Sequence, residues 1–250
     1  MKQMLLILCF MIGFGTSAQI LNAEALRKVT DTTGWSGTMS ARFALKRNVN
    51  DFIVLGADFH LQYKQENHLW LLKNDYNLEK IQGNRFENSG ITHLRHNYRF
   101  KPRIAWEAFL QGQYNKVNLI GFRALAGTGP RFKLTNSEKY KFYLGLLTMF
   151  EYEEVSDDIT PIQRDIRGST YLSFSLYPTE HITLVSTTYY QPKYAAFGDY
   201  RISNQSSLLV GLFSNFALKT TYSFIFDTFP AVGIPKSQYD FQTGFAYSFE

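Results

Sequence analysis

The side chains able to do chemistry are few and widely spaced. Five histidines occur, His60, His68, His93, His96 and His181. A hydrolytic triad would need one of them beside a serine and an orienting Asn or Asp. The chain has no GxSxG, no HExxH, and no close pair of histidines with a carboxylate at ligand spacing. Only His60 and His93 fall on the same alternation as other polar residues, where an inward histidine is more often a hydrogen-bonded interior group than a base. Asp157 and Asp158 could hold a divalent cation weakly, although a solvated acidic loop is the simpler expectation. The sequence therefore points to no enzyme, no metal and no cofactor.

What remains is a set of charges at every second position. Arg42, Lys46, Lys64, Arg95, Arg99, Arg123, Arg131, Lys133 and Lys219, with Asp58, Asp75, Glu107, Glu151, Asp227 and Asp240, share their parity with small or polar residues; His60 and His93 do the same. The opposite parity carries Leu, Phe, Tyr and Trp. Successive side chains of a strand point to opposite faces, so this is one apolar face and one charged face. Buried charges need partners, which predicts a cross-strand ion-pair network on the inner face. A narrow pore slightly favouring anions is the alternative.

The elements that must position these residues are read from period two and turn residues. Twelve strands are predicted, at about 34–46, 52–64, 68–79, 89–100, 104–115, 121–134, 140–153, 167–177, 182–191, 200–213, 216–229 and 239–250. The last, YDFQTGFAYSFE from Tyr239 to Glu250, is the clearest: Tyr239, Phe241, Phe245, Tyr247 and Phe249 share one face. An aromatic face that long suits lipid with an aqueous lumen behind it. A soluble barrel or sandwich would have to bury it inside. The fold class expected is all-β, a twelve-stranded antiparallel up-and-down transmembrane barrel. Pro130 inside the sixth strand predicts a bulge or a frayed end.

Connections from even to odd strands are short, whereas 80–88, 154–165, 192–199 and 230–235 read as longer loops. Outer-membrane barrels have short periplasmic turns and longer external loops, which places both termini in the periplasm. Trp35, Trp70 and Trp106 all sit near the start of odd strands on the outward parity, as aromatics at the periplasmic interface would.

Residues 1–18 have a positive Lys2, an apolar run and small residues before Gln19, the pattern of an export signal. Residues 19–33 read as a periplasmic lead-in and 34–250 as the barrel. The one cysteine, Cys9, lies in the leader, so the exported chain forms no disulfide. A net charge of +5 without a basic cluster speaks against nucleic acid. The partners expected are outer-membrane lipid and the barrel-assembly machinery, which reads the C-terminal strand. The usual assembly signal ends in an aromatic, whereas here Phe249 is penultimate.

Four blocks carry a family resemblance: HLQYKQENHLWLLKNDYNLEK, HLRHNYRFKPRIAWEAFLQGQYNKV, FRALAGTGPRFKL and KYKFYLGLLTMFEYE. They resemble the salt-induced outer-membrane proteins, in their Bacteroidetes-type form, over nearly all of the chain after the leader. The resemblance implies a barrel fold and an outer-membrane address. It implies no reaction.

Overall fold

In a computed structural model the chain forms twelve antiparallel strands. The structure describes residues 33–249 except 48–50, 82–84, 117, 136, 138 and 158–159. The export signal over 1–18, the lead-in over 19–32, Asp158 and Glu250 lie outside the described residues, as does the side chain of Lys46.

The strands are β1 (Gly34–Arg47), β2 (Asp51–Gln65), β3 (His68–Ile81), β4 (Arg85–Lys101), β5 (Ile104–Asn115), β6 (Ile120–Lys133), β7 (Tyr140–Val155), β8 (Gln163–Thr179), β9 (Ile182–Lys193), β10 (Ala196–Phe213), β11 (Phe216–Asp227) and β12 (Ser237–Phe249). Each pairs with its sequence neighbours, and β1 meets β12 to close the barrel. The expected count and up-and-down order are those observed.

Two of the expected long loops are largely strand. Residues 80–88 shrink to a gap of three between Ile81 and Arg85, and 192–199 become the turn Tyr194–Ala195 between β9 and β10. Gly198 and Pro192 look like loop residues, yet their strands continue: Pro192 opposes Tyr200, and the ladder absorbs the irregularity as a register shift between Ala196 and Tyr200. The contrast in loop length between the two ends is correspondingly weaker than expected. Connections of seven and nine residues, 156–162 and 228–236, remain at the end opposite the termini. Pro130 opposes Trp106 with no register shift beside it; the β5–β6 ladder shifts instead between Gln113 and Asn115.

The barrel is apolar outside and polar inside. Trp35, Leu110, Phe241 and Phe245 are 60–66 % exposed and Trp106 is 48 % exposed. Inward residues of every strand are buried instead, among them Ser40, Asp58, Lys73, Arg95, Glu107, Arg131, Met149, Tyr171, Thr187, Ser207, Thr221 and Ala246. Outward aromatics gather at both ends. Near the termini Trp35 packs on Tyr63 at 4.7 Å, Trp70 on His96 at 4.2 Å and Phe216 on Tyr247 at 5.1 Å between ring centroids. At the other end Tyr190 meets Tyr200 at 5.6 Å and Tyr200 meets Phe226 at 6.0 Å.

Apolar groups also enter the interior. Phe109, Leu125, Leu147, Met149, Tyr171 and Tyr189 form a buried cluster. Two rings in it rest on glycines directly opposite them: a Cβ on Gly145 would stand 2.0 Å from the Tyr171 ring, and one on Gly127 would stand 2.4 Å from Phe109. A side chain at either position would displace the ring that fills the barrel.

Candidate functional site

The interior is the surface where chemistry could take place, and its charges form three groups. The first lies on β1, β2, β3 and β11. Arg42 donates to Asp58 at 2.9 Å, to Asp75 at 3.2 Å and to Asn77 at 2.8 Å, while Lys219 reaches Asp58 at 3.0 Å. The Asp58 carboxylate, 1 % exposed, is thus held by two cations, one from β1 and one from β11.

The second group is centred on Glu107 of β5, which is fully buried. Arg95 and Arg131 stand 3.7 and 3.6 Å from its carboxylate, and the Tyr171 hydroxyl donates to it at 2.6 Å. Arg131 also stacks 3.7 Å above the Tyr143 ring. His93 adjoins this group. Arg95 Nε donates to His93 Nε2 at 3.3 Å, so that nitrogen accepts, and Nδ1 donates to Gln111 Oε1 at 2.9 Å. Both ring nitrogens are engaged in a structural chain, and neither addresses a serine.

The third and largest group lies toward the end opposite the termini. Glu151 receives Arg167 at 2.5 Å, Arg123 at 3.3 Å and Arg201 in a short contact. Glu153 takes Arg123 and Arg201, the latter at 3.2 Å, and Arg201 extends to Asp227 at 2.7 Å. Arg167 continues to Asp199 at 2.9 Å, and Lys193 closes the chain on Asp165 at 2.8 Å.

Several of these contacts join strands that are not neighbours. Tyr171 of β8 reaches Glu107 of β5, Arg201 of β10 reaches β7, and Lys219 of β11 reaches Asp58 of β2. They are chords across the lumen rather than rungs along its wall. In a low-dielectric interior an unpaired charge is costly, and the carboxylates at the centre of the three groups, Asp58, Glu107 and Glu151, are each offset by two or three donors. A small void remains between the second and third groups, bounded by His93, Phe109, Gln113, Leu147, Tyr189 and Gln191.

Of the residues singled out in the sequence, Arg42, Asp58, Asp75 and Lys219 meet in the first group, Arg95, Glu107, Arg131 and His93 in the second, and Arg123 and Asp227 in the third. His60, 2 % exposed, sits on β2 opposite Lys73. Lys64 and Asp240 share the inward parity near the two ends and are half-buried. Arg99 is exposed at the rim and donates to Asn67. Trp35, Trp70 and Trp106 point outward near the end that holds the termini, and the Trp106 indole donates to Thr128 at 2.7 Å. Asp157 accepts from the Thr160 amide at 2.8 Å, which uses its carboxylate to shape the loop.

Sequence reasoning missed Arg167, Arg201, Lys73, Glu153 and Asp199. The signal was present for four of them: Lys73 and Glu153 share the inward parity of Asp75 and Glu151 two residues away. Carrying the inward parity of Tyr171 and Ser173 back through β8 reaches Arg167, and carrying that of Ser207 and Ser203 back through β10 reaches Arg201.

The NanC porin shares this fold, with a TM-score of 0.54 and 9 % identity over 86 % of this chain and 100 % of that one. The KdgM porin in complex with disordered oligogalacturonate is also similar, with a TM-score of 0.47 and 9 % identity over 86 % and 99 % of the two chains. No curated protein matches the sequence. Residues 43–249 match the family described as a protein of unknown function, DUF481, and the chain belongs to that family.

Proposed function

We propose that this chain is an integral outer-membrane barrel of a Gram-negative bacterium, serving the envelope structurally with a lumen closed by its own ion pairs. Its termini lie in the periplasm, its leader directs export, and its C-terminal strand is its address to the barrel-assembly machinery. Supporting the membrane reading are the apolar outer wall and the aromatic belts at both ends, which mark lipid-water interfaces in such barrels. The resemblance to salt-induced outer-membrane proteins agrees with an envelope role. A non-catalytic role is part of this reading, and it is supported by His93, whose two ring nitrogens are engaged by Arg95 and Gln111.

One observation carries the closed lumen. Inward residues on all twelve strands are buried, and their charges are satisfied by one another along chords that cross the interior. An open water column would leave those side chains wetted. Twelve strands lie between a filled eight-stranded barrel and a sixteen-stranded pore, so the side chains decide.

The test is conductance of the purified protein in planar bilayers. A closed lumen gives insertion without steady single-channel steps, whereas uniform long-lived steps would overturn it. Rare openings would instead favour a second reading, a narrow path for small solutes past the void between the second and third groups.

A further inference from the structure

The outward wall holds one feature that contact with lipid does not explain. Aromatic bands of membrane barrels are built from Trp and Tyr, yet two histidines stand in the band near the termini. His68 is the first residue of β3, directly after the turn Glu66–Asn67, and His96 lies on β4. They are 28 residues apart in sequence. The ladder sets His68 opposite Tyr98 and Trp70 opposite His96, which makes the two histidines diagonal neighbours on one face. Their rings are stacked at 15° from parallel, and His68 Nδ1 stands 3.0 Å from His96 Nε2. Tyr98 flanks the His68 ring at 4.9 Å, and Trp70 covers the His96 ring at 4.2 Å.

A hydrogen bond between two ring nitrogens takes one N–H and one lone pair, so at least one of these imidazoles is neutral. When the shared proton leaves for an outer nitrogen, two lone pairs face each other. Neither ring makes another hydrogen bond among the described residues. An ion about 2.0–2.1 Å from each nitrogen, with the nitrogens still 3.0 Å apart, would see them at about 90–100°. That is the cis angle of a square-planar or tetragonal Cu(II) or Ni(II) centre, and it is narrower than the tetrahedral angle of Zn(II). The two lone pairs must converge, so each ring turns about its Cβ–Cγ bond. His68 is exposed and His96 half-buried, which leaves room for the turn. Glu66 and Arg99 flank the pair at the rim with opposite charges.

We propose that His68 and His96 form a surface chelate for a divalent transition-metal ion, taking Cu(II) in preference to Zn(II), with water in the remaining positions. No third histidine, cysteine or carboxylate joins them among the described residues. Two protein ligands leave the ion exchangeable, as in a binding or hand-over site rather than a closed structural one. The site uses one face of β3 and β4 and makes no demand on the lumen.

The test titrates the untagged full-length protein, folded into phosphatidylcholine vesicles, with Cu(II), followed by electron paramagnetic resonance and tryptophan fluorescence. The expected spectrum is one ion per chain with two equatorial imidazole nitrogens. Trp70 lies against a ligand ring, so the bound ion should quench its emission; Trp70→Phe should remove that quenching and keep the resonance signal. His68→Gln and His96→Gln should each weaken Cu(II) binding about 100-fold, the loss expected when two linked ligands become one. His181→Gln, at an exposed turn on the opposite side of the sequence, should change nothing. Equal affinity in the unaltered, His68→Gln and His96→Gln proteins overturns the chelate, as does a one-nitrogen signal or displacement of Cu(II) by an equal concentration of Zn(II). The nitrogen count is read on the unaltered protein, so it decides even where a variant fails to fold.

Discussion

The wall from β5 to β10 and the seam between β12 and β1 solve the same problem in opposite ways. In the first, ladders run nearly the length of each strand and the interior is cross-braced. Glu151 alone takes three arginines, from β6, β8 and β10. In the second, five residue pairs hold two strands together, and the side-chain hydrogen bond seen directly across them is Thr38 to Ser248 at 3.4 Å. The difference shows that closing a barrel and stabilising it are separable. The middle strands carry the longer ladders and the denser bracing, whereas the junction of the first and last strands relies on five pairs and on the Lys219–Asp58 chord that spans it.

The contrast can be broken most severely at Glu151. Glu151→Ala leaves Arg123, Arg167 and Arg201 short of a counter-charge, and should cost about 3–5 kcal/mol, read as a lower urea midpoint for loss of the heat-modifiable folded band. A seam cross-link should work in the other direction. Ser40→Cys with Ala246→Cys joins directly opposed residues, and its oxidised form should gain about 2–4 kcal/mol in the same assay. If the oxidised form gains nothing, the seam is not the weak place. Removing one chord is milder. Tyr171→Phe deletes the hydroxyl that reaches Glu107 while keeping the ring over Gly145, and should cost about 1.5–3 kcal/mol. Arg99→Ala at the exposed rim should change the midpoint by less than about 0.5 kcal/mol, which calibrates the others.

Much of this was legible in the sequence because period two is a local property. The alternation in β5, with Trp106, Ala108 and Leu110 against Glu107, Phe109 and Gln111, gives the outward and inward faces without any knowledge of neighbours. That each inward carboxylate would find arginines followed from the cost of burying charge. Which arginines it would find did not follow. Arg167 and Arg201 fall at the very start of the expected strands 167–177 and 200–213, where too little alternation precedes them to mark a face, so their parity went unread. The pairing of Glu107 with Tyr171 depends on how the barrel brings β5 and β8 face to face, a separation of 64 residues. The half-open seam was illegible for a deeper reason: β12 has the same aromatic ladder whether or not its far edge is paired.

The chords also constrain the order of events during insertion. A sheet curling into the bilayer carries its inner face against whatever lies beside it. Until β10 comes round to β7, and β2 to β11, the carboxylates of Glu151 and Asp58 lack part of their counter-charge. A half-curled intermediate in bare lipid would face the full expense of those charges. Completion of the circle removes it in one step. The polar interior thus acts as a checkpoint, rewarding a finished barrel and penalising a partial one.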